Sequence, residues 1–304
     1  MSVDNALICG LLEGLGLTDI STESAIEGTQ RKALPVYDTS RSPFRAWLLD
    51  LKEAFLAWPT WSRITMLDIS GQHRRFLLGA LWVPLGMALF VFALGYVYSY
   101  LRNLDPNVFV PYLAASMVLW TIIHTTIMRG MSVFVAAAKY IENVRLPFHY
   151  FVLKNIFETF YTGLLTVPVY FAALAIYKVE LNWGWLMVFP ALLVYLVTAF
   201  SVLIIVGLAN LRIRDIQSPL GNFMRLMFLL TPIIWMVEGR EGSKRAAFID
   251  YNPFYHFIEI ARAPLLGDAA TMTNWIVALS LCAVLLFISS FLMIRWRAKI
   301  QYWV

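Results

Sequence analysis

The most regular feature of this 304-residue chain is a series of long apolar stretches separated by short polar segments. An α-helix needs about 20 mostly apolar residues to cross the hydrocarbon core of a bilayer. Six stretches approach or exceed that length, and they predict spans near residues 77–101, 108–128, 156–177, 183–208, 217–237 and 275–294. The fifth contains Arg225 and Pro232, which are compatible with a kinked span or with a re-entrant segment.

Two amphipathic helices are predicted before the first span. Residues 42–59 begin with Ser42 and Pro43, which suit a helix start, and end at Pro59. Their large apolar side chains share one face, which suits the membrane–water interface or, alternatively, a soluble partner protein. Residues 60–76 form the second helix, which ends in a basic cluster at the expected level of the lipid headgroups.

The distribution of Lys and Arg predicts the orientation. These residues concentrate before the first span, in the 129–154 and 209–225 loops, and at the C-terminus. Because positive charge favours the cytoplasmic side, both termini are expected inside and residues 251–267 outside. We interpret the chain as an all-α integral membrane protein with an N-terminal cytoplasmic or interfacial arm, residues 1–59, and one transmembrane domain, residues 60–304.

Composition supports this reading. Hydrophobic residues make up 60% of the chain and charged residues only 14%, whereas a soluble domain has roughly a quarter charged. The net charge of +5 therefore indicates contact with anionic membrane lipid rather than with nucleic acid. The sequence contains no GxxxxGK[ST] phosphate loop, HExxH, CxxC or GxSxG motif, so we do not expect an enzyme or a bound cofactor.

Aromatic residues are frequent in the first predicted span, and they include Trp82, Phe90, Tyr96 and Tyr98. Tyr and Trp commonly anchor helices at the membrane interface. The alternative is a pathway whose aromatic faces let sugar rings slide past through weak contacts. The residues alone leave both interpretations open.

A charged face is predicted in the segment 129–150 on the cytoplasmic side. Lys139, Glu142 and Arg145 recur at three-residue intervals before Pro147, which suits a short helix that ends at the proline. This face indicates either a docking surface for a partner or a solvated loop.

The stretch YNPFYHFIEIARAPLLG, residues 251–267, predicts another short helix. Asn252 suits the N-cap, Pro253 the first turn and Pro264 the end. The apolar side chains share one face, and Tyr255, His256, Glu259 and Arg262 share the other. We expect an amphipathic helix that dips into the outer interface, with Glu259 and Arg262 spaced to pair. A plain lid over the bundle is the alternative.

Six pieces of the chain, taken in order, resemble one family. They are DISGQHRRFLLGALWVPLGMALF (68–90), YLAASMVLW (112–120), IENVRLP (141–147), GLANLRIRDIQ (207–217), LLTPIIW (229–235) and NPFYHFIEIARAPLLG (252–267). Together they resemble the membrane subunits of ABC-2 type polysaccharide exporters, in particular the O-antigen (lipopolysaccharide) export permeases. Residues 1–59 lie outside the shared pattern.

This resemblance implies a multi-pass permease of the bacterial inner membrane that works as a homodimer. Two copies of a separate ATPase subunit would bind ATP and magnesium. The cargo would be a polyprenyl-diphosphate-linked polysaccharide, moved from cytoplasm to periplasm. Another glycan, such as capsule or teichoic acid, remains an alternative, as does a membrane glycosyltransferase that acts on polyprenyl-linked sugars.

The resemblance also assigns roles to residues. The first and fifth spans would line the conduit, with Trp82, Phe90, Tyr96, Tyr98 and Tyr255 as candidate pathway residues. The remaining roles are a periplasmic gate (His256, Glu259, Arg262), coupling to the ATPase (Lys139, Glu142, Arg145) and an interface helix (Asp68, Arg74, Arg75).

Overall fold

All regular secondary structure in the described part of the chain is helical. The computed structural model describes residues 42–73, 78–137, 146–179, 183–236 and 249–303. Its helices are α1 (Pro43–Leu56), α2 (Trp58–His73), α3 (Trp82–Arg102), α4 (Pro106–Ser132), α5 (Phe148–Tyr177), α6 (Val188–Arg212), α7 (Gln217–Leu230), α8 (Pro253–Leu265) and α9 (Met272–Trp303). Short 3₁₀ turns occur at Gly79–Leu81, Trp183–Met187 and Arg214–Ile216. The all-α prediction is confirmed for these ranges.

Among the described residues, five helical segments are long and apolar enough to cross a membrane. They are Gly79–Arg102, Pro106–Ser132, Phe148–Tyr177, Trp183–Arg212 and Met272–Arg297. The third starts at Phe148 rather than near residue 156, because the early charges on α5 have partners. Lys154 lies 3.7 Å from Glu158, the pair that their spacing predicts, and both also contact residues on neighbouring helices.

The fifth predicted span is not a continuous helix over residues 217–237. α7 has 14 residues and ends at Leu230, so it is about 21 Å long, against roughly 30 Å of hydrocarbon core. It ends there because the following Pro232 disfavours helical geometry at Thr231, which adopts φ −83° and ψ 138°. The count of six spans therefore stays a prediction.

Both predicted N-terminal helices are present, with one boundary changed. α1 begins at Pro43 as expected, but Pro59 lies in the first turn of α2, where its missing N–H costs no helical hydrogen bond. α1 buries Asp50 and Ala54, whereas several of its large apolar side chains are exposed. Location at a membrane interface stays a prediction for this apolar face.

α4 is the central helix of the bundle. In the most apolar stretch of α4, 67% of the residues are buried, against 17% in the corresponding stretch of the first span and 22% in that of the last span. Buried clusters lie on both sides of α4, one shared with α3 and α5 and the other with α6, α8 and α9. At Gly95 the first span comes so close to α4 that an added Cβ would lie 2.8 Å from Val110. Among the residues that the structure describes, large apolar side chains on the outer surfaces of α3 and α9, such as Leu89 and Phe287, are exposed.

Candidate functional site

The helix α8 has the predicted start but a different environment. The Asn252 side chain accepts a hydrogen bond from the Phe254 amide, and Pro253 is the first helical residue, so the predicted cap is confirmed. Pro264 lies inside the last turn instead of after it. Both faces of α8 are largely buried against α4, α6 and α9, so its polar face mainly contacts the bundle, and its location at the outer interface stays a prediction. The polar face is buried because it has partners inside the bundle.

Arg262 is the centre of that polar face. Its side chain is 3% exposed, and its Nε donates to the Glu259 carboxylate at 3.1 Å, with Nη2 donating to the same carboxylate. Nη1 donates to the Ser116 hydroxyl at 3.0 Å and to the Pro232 carbonyl at 2.6 Å. The guanidinium also lies 4.1 Å from the ring centroid of Tyr112. We call these contacts the Arg262 clamp, since they join α8 to α4 and to residues 231–236.

The clamp and neighbouring side chains supply hydrogen bonds to the residues around the end of α7, where the helical pattern stops. The Tyr112 hydroxyl donates to the Pro232 carbonyl at 2.8 Å, and the Trp235 indole donates to the Leu229 carbonyl at 3.1 Å. The Asn252 amide donates to the Thr231 hydroxyl at 3.0 Å. Irregular backbone deep in a bundle is stable only when such groups are satisfied. The sequence offered one signal for this role: Tyr112 and Ser116 are four residues apart, on one face of α4.

A cavity of about 480 Å³ lies beside the clamp. Its polar lining includes Tyr112, Tyr255, Glu259 and Asp268. The start of α4 and the segment that follows α5 contribute apolar residues. Glu259 is the member of the clamp that water reaches, with 21% of its side chain exposed. Tyr255 and Glu259, two of the sequence-predicted residues, are therefore brought together at this end of the bundle.

His256, the third predicted gate residue, faces away from this cavity lining. It is 1% exposed, with Nδ1 2.9 Å from the Asn274 side-chain amide and Nε2 2.8 Å from the Asp250 carbonyl. These contacts connect α8 to the start of α9 and to the preceding loop. His256 therefore holds the ends of two helices together.

The predicted aromatic pathway residues do not form one cluster. Trp82, Phe90 and Tyr96 are exposed on the outer side of the first span, Tyr96 by 74%. Tyr98 stacks on Phe109 of α4, with ring centroids 6.2 Å apart. Their role in a pathway stays a prediction.

A chain of charged contacts joins α2, α5 and α4 at the opposite end of the bundle. The Asp68 carboxylate on α2 lies 2.5 Å from Lys154 on α5. Lys154 is also close to Glu158, which pairs with Arg129 on α4. Asp68, predicted on an interface helix, thus contacts the spans directly. The other predicted residues of this end, Arg74, Arg75, Lys139, Glu142 and Arg145, lie outside the described residues.

These features define a multi-pass helical membrane protein whose second span is linked to a short buried helix by polar contacts. Two proteins of Klebsiella pneumoniae are similar to it, and each is described as O-antigen export system permease protein RfbA. Each match is 24% identical over 196 residues, or 64% of this chain and 75% of the relative. No protein-family model matches the chain. At the level of family, the relatives confirm the resemblance to ABC-2 type O-antigen export permeases.

Proposed function

We propose that this chain is the permease subunit of an ABC exporter for lipid-linked O-antigen or a related polysaccharide. It would act in the bacterial inner membrane as a homodimer with two copies of a separate ATPase. The observation that carries the proposal is the similarity to O-antigen export permeases over 64% of a chain that has five candidate spans. That similarity to a transport subunit also favours a permease over an enzyme.

In this proposal, ATP binding closes the ATPase dimer and shifts a two-state equilibrium of the permease. The segment near residues 133–147 and the helix α2 would receive the movement. The contacts of Asp68 and Lys154 support this role for α2, since they give it a direct connection to α5. Glu158 and Arg129 extend the connection to α4, the central helix.

We further propose that the Arg262 clamp is the closed state of the periplasmic gate. It holds α8 and residues 231–236 against α4, beside the cavity where Glu259 meets solvent. Opening would move α8 and residues 231–236 together, because Arg262 on α8 also donates to the Pro232 carbonyl. Both elements would then separate from Ser116 on α4, to which Arg262 donates in the closed state. A glycan leaving the conduit would then pass the polar residues of the cavity.

A glycosyltransferase has less support. It requires a carboxylate that is free to act as a base or to bind a metal, and on the expected outer side the sequence offers Glu259 with Asp250. One oxygen of the Glu259 carboxylate accepts two hydrogen bonds from Arg262, so that oxygen is already occupied by a fixed cation. The similarity to permeases points the same way.

The decisive experiment uses a strain that lacks this chain and accumulates its glycan inside the cell. The wild-type chain, expressed with the ATPase encoded beside it, should copurify with that ATPase and restore polysaccharide at the cell surface. Reversing both charges at Glu142 and Arg145 should preserve membrane insertion but abolish export per ATP hydrolysed. Normal export by this double variant, or surface polysaccharide without any ATPase, contradicts the proposal.

The pathway residues have a separate test in the same strain. Tyr96→Ala and Tyr98→Ala should slow export if their rings contact sugars. Phe189→Leu is the control for Tyr96, since Phe189 is similarly exposed on a different span. Equal effects from all three variants would show that the aromatic residues only pack or anchor the helices.

A further inference from the structure

A buried cluster of Asp50, His149 and Arg297 joins three elements that are far apart in the sequence. The Asp50 carboxylate on α1 lies 2.6 Å from Nδ1 of His149, in the first turn of α5. Its other oxygen accepts a hydrogen bond at 3.0 Å from Arg297, near the end of α9. One carboxylate therefore connects the N-terminal helix, the start of the third span and the end of the last span.

The surroundings of the cluster keep water out. Asp50 is 2% and His149 is 0% exposed. The His149 ring stacks on Phe200 of α6 at 5.6 Å and 8°, and its edge faces Trp47 of α1. Hydrogen bonds to a charged group in such a dry site contribute more than exposed ones do.

Asp50 is prominent in the attachment of α1 for a second reason. The large apolar side chains Phe44, Leu48 and Phe55 of this helix are exposed, so they do not bind it to the bundle. Of its residues, only Asp50 and Ala54 are buried. A carboxylate thus occupies the position where a helix packed by hydrophobic contacts would place a large apolar side chain.

The position of His149 places this attachment next to the segment near residues 133–147. His149 follows Pro147 and lies in the first turn of α5, so it comes directly after the segment near residues 133–147. We propose that Asp50 is a positioning residue: it fastens α1 to the bundle and fixes the start of α5 for coupling to the ATPase. The coupling part rests on the proposed function; the fastening part does not.

Hydrogen–deuterium exchange of the full-length protein in nanodiscs tests the fastening. Asp50→Asn should accelerate exchange in residues 43–56 and in the first turn of α5 by about tenfold or more, as expected for loss of a buried charged hydrogen bond. Exchange in the middle of α4 should not change. Glu53→Gln is the control, because it removes the same charge from an exposed position of the same helix. Equal exchange in both variants would overturn the fastening.

Variants of His149 keep the test valid if Asp50→Asn does not fold. His149→Asn retains an N–H donor near the position of Nδ1, whereas His149→Leu removes it. The proposal expects faster exchange of α1 in the Leu variant and near-normal exchange in the Asn variant. Identical exchange profiles for the two variants would contradict a role for this hydrogen bond.

The coupling part is measured with the ATPase present. Asp50→Asn should bind the ATPase as the wild type does but export at least about threefold less glycan per ATP, whereas Glu53→Gln should not. Normal export per ATP with a loosened α1 would overturn the positioning role. If no ATPase binds even the wild-type chain, the proposed function fails, and the exchange data still decide whether Asp50 fastens α1.

Discussion

The Arg262 clamp makes a quantitative prediction about the stability of the bundle. Arg262→Met keeps a long side chain of similar reach but removes the guanidinium. The variant loses the two bonds to Glu259, the bonds to Ser116 and Pro232, and the contact with the Tyr112 ring. We expect a large loss, because several of the groups left behind are buried.

The size of the loss follows from those contacts. Removing one partner of a fully buried ion pair costs about 3–5 kcal/mol, largely because the other charge is left uncompensated. Here Glu259 retains 21% exposure and can be partly hydrated, and the Pro232 carbonyl keeps its bond from Tyr112. Both effects lower the expected cost to about 2–4 kcal/mol. Arg262→Met combined with Glu259→Gln should recover about 1–2 kcal/mol of it, since no charge is then unpaired.

The measurement is equilibrium unfolding in mixed micelles of dodecylmaltoside and SDS, followed by tryptophan fluorescence. Arg225→Met is the control, because Arg225 is exposed and its hydrogen bond within the described part of the chain is a 3.4 Å contact with Asn222, so its loss should stay within about 0.5 kcal/mol. The reasoning is refuted if the two Arg→Met variants unfold alike. It is also refuted if the double variant is as unstable as the sum of its single changes.

Three further predictions concern other contacts. Gly207→Ala should cost about 1–3 kcal/mol, because its Cβ would lie 2.5 Å from a neighbouring valine, whereas Gly86→Ala, with no atom within 4 Å, should be neutral or stabilising in the same assay. Burial alone would raise the pKa of Asp50, but the His149 hydrogen bond and the charge of Arg297 hold it below its ordinary value of 3.8. The contribution of the Asp50 charge to this attachment is therefore complete above about pH 4 and lost as the pH falls through the lowered pKa, so exchange of α1, after correction for intrinsic rates, should rise in strong acid. Asp68→Asn should cost at most about 1 kcal/mol, since its carboxylate is partly exposed, whereas Glu158→Gln should cost about 1–3 kcal/mol because two cations share a buried carboxylate.

Local features were predictable from the sequence because each depends on residues that are close together in the chain. Apolar runs located five spans, and the Asn252–Pro253 pair located the start of α8. The four-residue spacing of Lys154 and Glu158 places them on one helical face, where they meet. In each case helical geometry alone brings the interacting groups together.

The environment of α8 was not predictable in this way. Its sequence alternates apolar and polar faces, which is the pattern of a helix at an interface. The pattern shows that the polar face needs partners, but it does not distinguish water from the buried groups of another helix. Ser116 and Pro232 supply those partners from positions 146 and 30 residues away. The same applies to Asp50, whose partners are 99 and 247 residues away.

The break after α7 and the burial of Arg262 are two parts of one arrangement. The carbonyl groups around Pro232 have no helical partners, and in a dry bundle they require donors. Arg262 and Tyr112 are those donors, and both also bind groups on other elements. A small shift of α8 alone would pull the Arg262 guanidinium away from the Ser116 hydroxyl and the Pro232 carbonyl and leave its Nη1 without those acceptors, while the pair with Glu259, which lies within α8, would move intact. Intermediate positions of α8 are therefore costly, and residues 231–236 should move with it between two discrete states, which is the behaviour that a gate requires.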